Sequence, residues 1–255
     1  MVIDFHTHVP SGTQFGIANR GIDGFLSDMD FNGIEKSLLL PFDALFFQSV
    51  NENREIGEWV KRHPDRFEGL GTVNARKPDE AIPEMVRCIL EYGLIGLKFH
   101  PWLQAFSPLE KSFLELAEEG NRYKTLFFFH DGTPPYTEPF QIAEVAEKNP
   151  DLVVVMGHTG LNDLWRESLL AAKKYDNVWL CLSACPFWGM VEVIKQVDNE
   201  RIVWGSDYPL ANRMDTKNRL RQVELLPFSD DLKEKILYGN AKKLIQYVKN
   251  SMPSQ

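Results

Sequence analysis

Near its start the chain reads Asp4-Phe5-His6-Thr7-His8, two histidines separated by one residue. Side chains along a strand alternate between faces with a period of two, so His6 and His8 point the same way and can grip one metal ion together. The placement returns along the chain, each time at the end of an apolar, strand-like run. Lys98-Phe99-His100 follows 94–97, His130 follows 126–129, His158 follows 153–157 and Asp207 follows 202–206. Five of the six histidines therefore stand at strand ends, and the sixth, His63 in Arg62-His63-Pro64, follows a polar helical stretch and reads as surface. Neutral imidazoles and a carboxylate are borderline-to-hard ligands that suit zinc, and a catalytic zinc site keeps a position open for water or substrate. Water held there, with its pKa lowered to about 7 in favourable sites, supplies hydroxide near neutral pH.

The elements that must position these residues are legible as β-rich runs alternating with longer helical stretches. Strands are expected at 2–5, 36–40, 67–73, 95–99, 125–129, 152–156, 178–182 and 202–204. Helices are expected at 21–33, 51–62, 78–92, 108–123, 138–148, 161–175, 187–197 and 212–226, with a last one at 240–249. Pro78-Asp79-Glu80 opens one of these helices and Gly93 follows it, as helix punctuation requires. Eight strand-helix units spaced roughly 30 residues apart predict a single-domain (β/α)8 TIM barrel spanning residues 1–255. In such a barrel the chemistry sits at the C-terminal ends of the strands, where the histidines and Asp207 fall. Alternation predicts one shared face for Asp4, His6 and His8, and others for Lys98 with His100, Phe128 with His130, and Gly205 with Asp207.

Composition frames this reading. The chain has 255 residues, 44% of them hydrophobic, enough for a large core, and its net charge of −8 argues against nucleic acid and an anionic membrane surface as partners. No basic, apolar leader pattern opens the sequence and no run approaches the ~20 apolar residues of a membrane span. Cys88, Cys181 and Cys185 form no paired framework, so free thiols and a cytoplasmic setting are expected. The expected partner is a small organic substrate, and a homo-oligomer is left open.

Taken together, Asp-x-His-x-His on the first strand, Gly96-x-Lys98-x-His100-Pro101 on the fourth, His130 on the fifth, Gly157-His158-Thr159-Gly160 on the sixth and Gly205-Ser206-Asp207-Tyr208-Pro209 on the eighth resemble the amidohydrolase superfamily. The pattern is most similar to its amidohydrolase-related branch, which includes aminocarboxymuconate-semialdehyde decarboxylase. The resemblance implies a (β/α)8 barrel with one divalent metal, usually zinc, held by His6, His8, His130 and Asp207, and a catalytic role for His158. Asp207 is then placed to accept a proton from the metal's water as well as to touch the ion, and His158 to orient the water, polarise the scissile bond or protonate the leaving group. The main expectation is hydrolysis, with metal-bound hydroxide attacking a carbonyl-containing substrate. The alternative is loss of carbon dioxide from an unsaturated carboxylic acid. A second alternative is a phosphoesterase-type barrel, which also begins with Asp-x-His-x-His but typically ends its ligand set with Asp-x-His, unlike Asp207-Tyr208-Pro209.

The remaining candidates surround that set. Lys98-Phe99-His100-Pro101 looks similar to a dihydroorotase segment whose carboxylated lysine bridges two metals, so a second metal would follow if Lys98 were carboxylated. The favoured reading is a buried cation paired with Asp4 or a neighbouring carboxylate. Asp4 is expected to orient a ligand histidine through its other ring nitrogen. His100 is expected either to bond the substrate or to fix the loop beginning at Pro101. Loops 9–20 and 131–137 are long enough to shape a pocket, with Trp102, Phe106, Tyr136, Phe187, Trp188 and Tyr208 as aromatic lining suited to a cyclic or unsaturated substrate. Arg20 and Arg213 are candidates for a substrate carboxylate.

Overall fold

The computed structural model describes residues 1–9, 20–47 and 50–253. Most of the expected pocket loop at 9–20 therefore lies outside the described residues. Among the described residues, eight parallel strands carry the architecture: β1 (Ile3–His8), β2 (Lys36–Leu40), β3 (Phe67–Gly69), β4 (Gly96–Phe99), β5 (Leu126–Phe129), β6 (Val153–Met156), β7 (Val178–Cys181) and β8 (Ile202–Val203). They pair in chain order as β1-β2-β3 and β4-β5-β6-β7-β8. Backbone bonds join the two groups at both seams. Ile95 N–H donates to the Gly69 carbonyl at 2.9 Å, while Phe5 N–H donates to Trp204 at 3.0 Å and Asp207 N–H to His6 at 2.8 Å. The order 1 to 8 and back to 1 is that of a (β/α)8 barrel.

Helices alternate with the strands. They are α1 (Gly21–Phe31), α2 (Asp43–Phe47), α3 (Asn51–Arg62), α4 (Pro78–Leu90), α5 (Pro101–Gln104), α6 (Lys111–Arg122), α7 (Pro139–Lys148), α8 (Trp165–Lys174), α9 (Phe187–Gln196), α10 (Arg213–Glu224), α11 (Asp230–Glu234) and α12 (Asn240–Ser251). Helices α2, α5 and α11 are additions to the sequence expectation. Each is too short to show a 3.6-residue apolar period, and α5 exists because the His100 ring accepts from Leu103 N–H at its start and Pro101 presets the first turn. The outward residues of the strands pack with the helices, including Leu97, Phe99, Phe127 and Phe129. The inward set, among them Ile3, Leu40, Leu126 and Val155, meets Ala241, Leu244, Ile245 and Val248 of α12. That i, i+3, i+4, i+7 stripe identifies α12 as the cap of the barrel interior opposite the strand ends that carry the histidines.

One irregularity matters for the site. In β1, Asp4 pairs with Ser37 but Thr7 pairs with Leu39, so Phe5 and His6 together oppose one residue of β2. This bulge shifts the alternation by one residue. Ile3 and Phe5 belong to the inward set, His6 also turns inward onto the Phe128 ring at 4.7 Å, and Asp4 instead faces α1, beside Phe25, Asp28 and Met29. The shared face expected for Asp4, His6 and His8 is thereby corrected.

Candidate metal and substrate site

His6 and His8 stand on β1 and Asp207 just beyond β8, and the seam between those strands brings them together. One ligand atom from each lies within 4.8 Å of the others. His6 Nε2 is 3.4 Å and His8 Nε2 3.5 Å from Asp207 Oδ1. The seam can be this tight because residue 205 is glycine: a Cβ there would lie 2.5 Å from His6 Cβ and 2.9 Å from His6 N.

The ring nitrogens are assigned by their partners. His6 Nδ1 lies 3.0 Å from the Gly157 carbonyl and His8 Nδ1 2.9 Å from the Pro41 carbonyl. Carbonyls only accept, so each Nδ1 carries the proton and each Nε2 turns a lone pair toward Asp207. His6 Nε2 is buried without a hydrogen-bond partner. An orphaned imidazole lone pair beside a second one and a carboxylate fits a divalent cation. Burial, together with the Lys98 charge, holds His6 well below the ordinary histidine range, which keeps it in the neutral form that ligates. Burial opposes ionisation of Asp207, but the neighbouring His8 and His158 imidazoles and the Arg219 guanidinium hold the carboxyl below the usual carboxylate range.

The backbone carbonyls take the role expected of Asp4. Its Oδ1 instead accepts from Ser206 N–H at 2.8 Å and His6 N–H at 3.2 Å, tying the ends of β8 and β1. Burial pushes Asp4 up to about 7 against those bonds.

His158 and His130 flank this trio differently. His158 Nδ1 lies 3.2 Å from the Ser183 carbonyl, which leaves its Nε2 available to the cavity it lines, and its ring is 4.8 Å from that of His6. Burial pushes His158 down to about 4. His130 Nε2 is 2.9 Å from the Thr133 hydroxyl, and its ring is stacked on His100 at 3.7 Å and 10°. Among the described residues the close donor cluster is His6, His8 and Asp207, with His130 outside it.

His8, His130, His158 and Asp207 line a cavity of about 320 Å³ with Lys98, His100 and Trp102, walled by Phe42, Leu45, Leu103, Leu161 and Leu210. The volume and mixed walls suit a small organic ligand. His100 caps α5 and so fixes the loop beginning at Pro101, and its ring also lines the cavity. Trp102 lines it too, 52% exposed. The other aromatic candidates lie elsewhere: Phe106 is buried in the helix-facing core, and Tyr136, Phe187 and Trp188 are exposed. Tyr208 is turned outward, donating to Asp28 at 2.8 Å and packing on Phe25. Arg20, at 2.6 Å, and Arg213, at 3.7 Å, also converge on Asp28, which removes all three from the cavity. His63 packs on the Phe67 ring at 6.0 Å and is half-buried rather than superficial.

Lys98 is 1% exposed and has its ammonium over the Phe128 ring at 4.6 Å. It forms no ion pair among the described residues, and Asp4 lies on the other side of β1. Burial pushes it down to about 8, partly offset by the charges of Asp207 and Asp131.

Sequence reasoning passed over Asp131. This buried carboxylate accepts from His158 N–H at 2.6 Å, from Gly160 N–H, and from Ser168 Oγ at 3.4 Å. It thus fastens the turn that presents His158. Its position directly after His130, on the opposite side of the chain, was the available signal. Gly160 completes that turn, since at φ +79° a Cβ would lie 2.3 Å from the Leu164 backbone.

Residues 3–246 match the family model described as Amidohydrolase. The chain belongs to the amidohydrolase family. Among curated relatives of this amidohydrolase is 2-amino-3-carboxymuconate-6-semialdehyde decarboxylase of Dictyostelium discoideum, 24% identical over 80% of this chain and 68% of that protein. Another is gamma-resorcylate decarboxylase of Polaromonas sp., 21% identical over 86% of this chain and 85% of that protein. A solved dihydroxybenzoic acid decarboxylase from Polaromonas sp. JS666, with bound manganese and the inhibitor 2-nitroresorcinol, superposes with a TM-score of 0.76. It shows the shared fold at 17% identity, over 96% of each chain.

Proposed function

We propose that this amidohydrolase is a divalent-metal-dependent, non-oxidative decarboxylase of a small unsaturated or aromatic carboxylic acid. The observation that carries the reaction class is that both curated relatives above are decarboxylases, which favours this alternative over the hydrolysis expected first from sequence. Support for the metal comes from the trio of His6, His8 and Asp207, a donor set that suits zinc and equally a harder ion such as the manganese of the solved relative. His130 would join it only by moving closer to the trio than its present contacts with Thr133 and His100 place it. When bound, the ion supplies a Lewis acid that orients the acid and withdraws electron density from its conjugated system.

The chain's own residues provide the rest. The bond from the carboxylate carbon to the unsaturated carbon breaks, carbon dioxide leaves, and the electron pair remaining on that carbon takes up one proton. With Nδ1–H committed to Ser183, His158 can hold and pass that proton at Nε2, and Asp131 fixes the turn on which it stands. The leucine and phenylalanine walls exclude water from a site where the carboxylate must lose its hydration before carbon dioxide departs.

The test is a panel assay of protein loaded with manganese or zinc. Loss of carbon dioxide from 2,6-dihydroxybenzoate or a related unsaturated acid is expected. Turnover of lactones or amides with no carbon dioxide released from any acid would return the reading to hydrolysis.

A further inference from the structure

We propose that Lys98 is the docking cation for an anionic oxygen of the substrate, which restricts this site to acids carried as anions. The proposal rests on the decarboxylase reading for its substrate class but on separate observations for the residue. Lys98 is 1% exposed, yet its side chain lines the metal-side cavity. Its ammonium lies over the Phe128 ring at 4.6 Å, a contact that leaves its hydrogen-bonding capacity unused. Among the described residues it donates to no oxygen within bonding distance, and the internal segments 10–19 and 48–49 contain no Asp or Glu.

The two carboxylates nearest in electrostatic effect are already engaged. Asp131 is spent on the backbone of His158 and Gly160 and on Ser168. Asp207 Oδ1 lies between the His6 and His8 imidazoles. A buried ammonium without a counter-charge is costly, and a divalent ion at the trio would add positive charge on the same side of the cavity against one carboxylate. An anion entering the cavity supplies the missing partner. Where the docked oxygen is one that stays on the substrate, such as a phenolate, the pairing forms on binding and persists through the reaction, and its loss should appear mainly in KM rather than kcat.

The experiment compares the metal-loaded protein with Lys98→Met and Lys98→Arg, using calorimetric titration of benzoate, 4-nitrophenolate and the uncharged benzamide, and metal analysis of every variant. In Lys98→Met, affinity for at least one anion should fall roughly ten- to a hundredfold while benzamide is unchanged and metal content is retained. The anion that loses more identifies the oxygen as carboxylate or phenolate. Lys98→Arg should keep part of the anion affinity, which separates charge from a folding defect, and circular dichroism checks the fold of both. Equal anion affinity in parent and Lys98→Met overturns the proposal. So does a second metal per chain that disappears in Lys98→Met, which would make Lys98 a carboxylated bridging ligand. These readouts need no turnover, so a failed decarboxylase panel with Lys98-dependent anion binding would overturn the reaction class alone.

Discussion

At the residue scale the site divides into side chains that meet in the cluster of His6, His8 and Asp207 and neighbours in sequence that do not. Asp207 and Tyr208 are adjacent, yet the first meets His6 and His8 while the second donates to Asp28 on the other side of the seam. Their substitutions should therefore separate. Asp207→Asn is expected to remove the charged ligand and lower turnover by about a thousandfold or more, with metal content falling in parallel. Tyr208→Phe should cost about 1 kcal/mol of unfolding free energy and leave KM and kcat near parental values. A large KM rise in Tyr208→Phe would place its hydroxyl in the substrate site after all. Asp131→Asn provides the intermediate case. It leaves one of the backbone donors of His158 and Gly160 poorly matched, so a loss of about 1–3 kcal/mol in denaturant unfolding should accompany a drop in kcat.

At the scale of elements, the decisive feature is the contact between β1 and β8. Two devices hold it: the carboxylate of Asp4, which accepts from His6 N–H on β1 and from Ser206 N–H just beyond β8, and the absent side chain at Gly205. A methyl at position 205 must displace the β1 backbone at His6, because the atoms it would meet include backbone and not flexible side-chain ends. Gly205→Ala is accordingly expected to lower metal affinity by tenfold or more and stability by about 1–3 kcal/mol, read by metal titration and by urea unfolding. The bulge in β1 belongs to the same scale. By placing two residues opposite one, it lets Phe5 fill the barrel interior while His6, next in line, still reaches Asp207, and it sends Asp4 outward.

At the scale of the whole molecule, the strands place donors from opposite ends of the chain at one mouth, so an ion held by them would couple its binding to folding. A ligand that binds only the folded form at a hundred times its Kd adds about 2.7 kcal/mol, or roughly 5–10 °C in Tm for a chain of this size. Zinc or manganese should raise Tm by that order, a chelator should reverse it, and Asp207→Asn should be insensitive to both. The three cysteines give an independent readout of the barrel. All are buried, and burial pushes their thiols up, so they should resist alkylation until the chain unfolds. Rapid labelling of the native protein would contradict the packing described. Among the described residues no helix is long and apolar enough to cross a membrane.

Local sequence by itself determined the repeating strand-helix order and the residue types at the strand ends. Both follow from short-range physics: apolar runs of four or five residues, period-two alternation, and turn residues between them. It therefore placed His6, His8, His158 and Asp207 at one mouth of the barrel, and it carried the family resemblance that the match over residues 3–246 bears out. Only the tertiary structure decided which donors meet. The face taken by Asp4 depends on the register between β1 and β2, the separation of His130 from the trio on its contacts with Thr133 and His100, and the turning away of Tyr208 on an aspartate 180 residues earlier. Lys98 shows the difference most directly. Its burial follows from its strand, but its lack of a counter-charge among the described residues is a property of everything packed around it, which no local pattern contains.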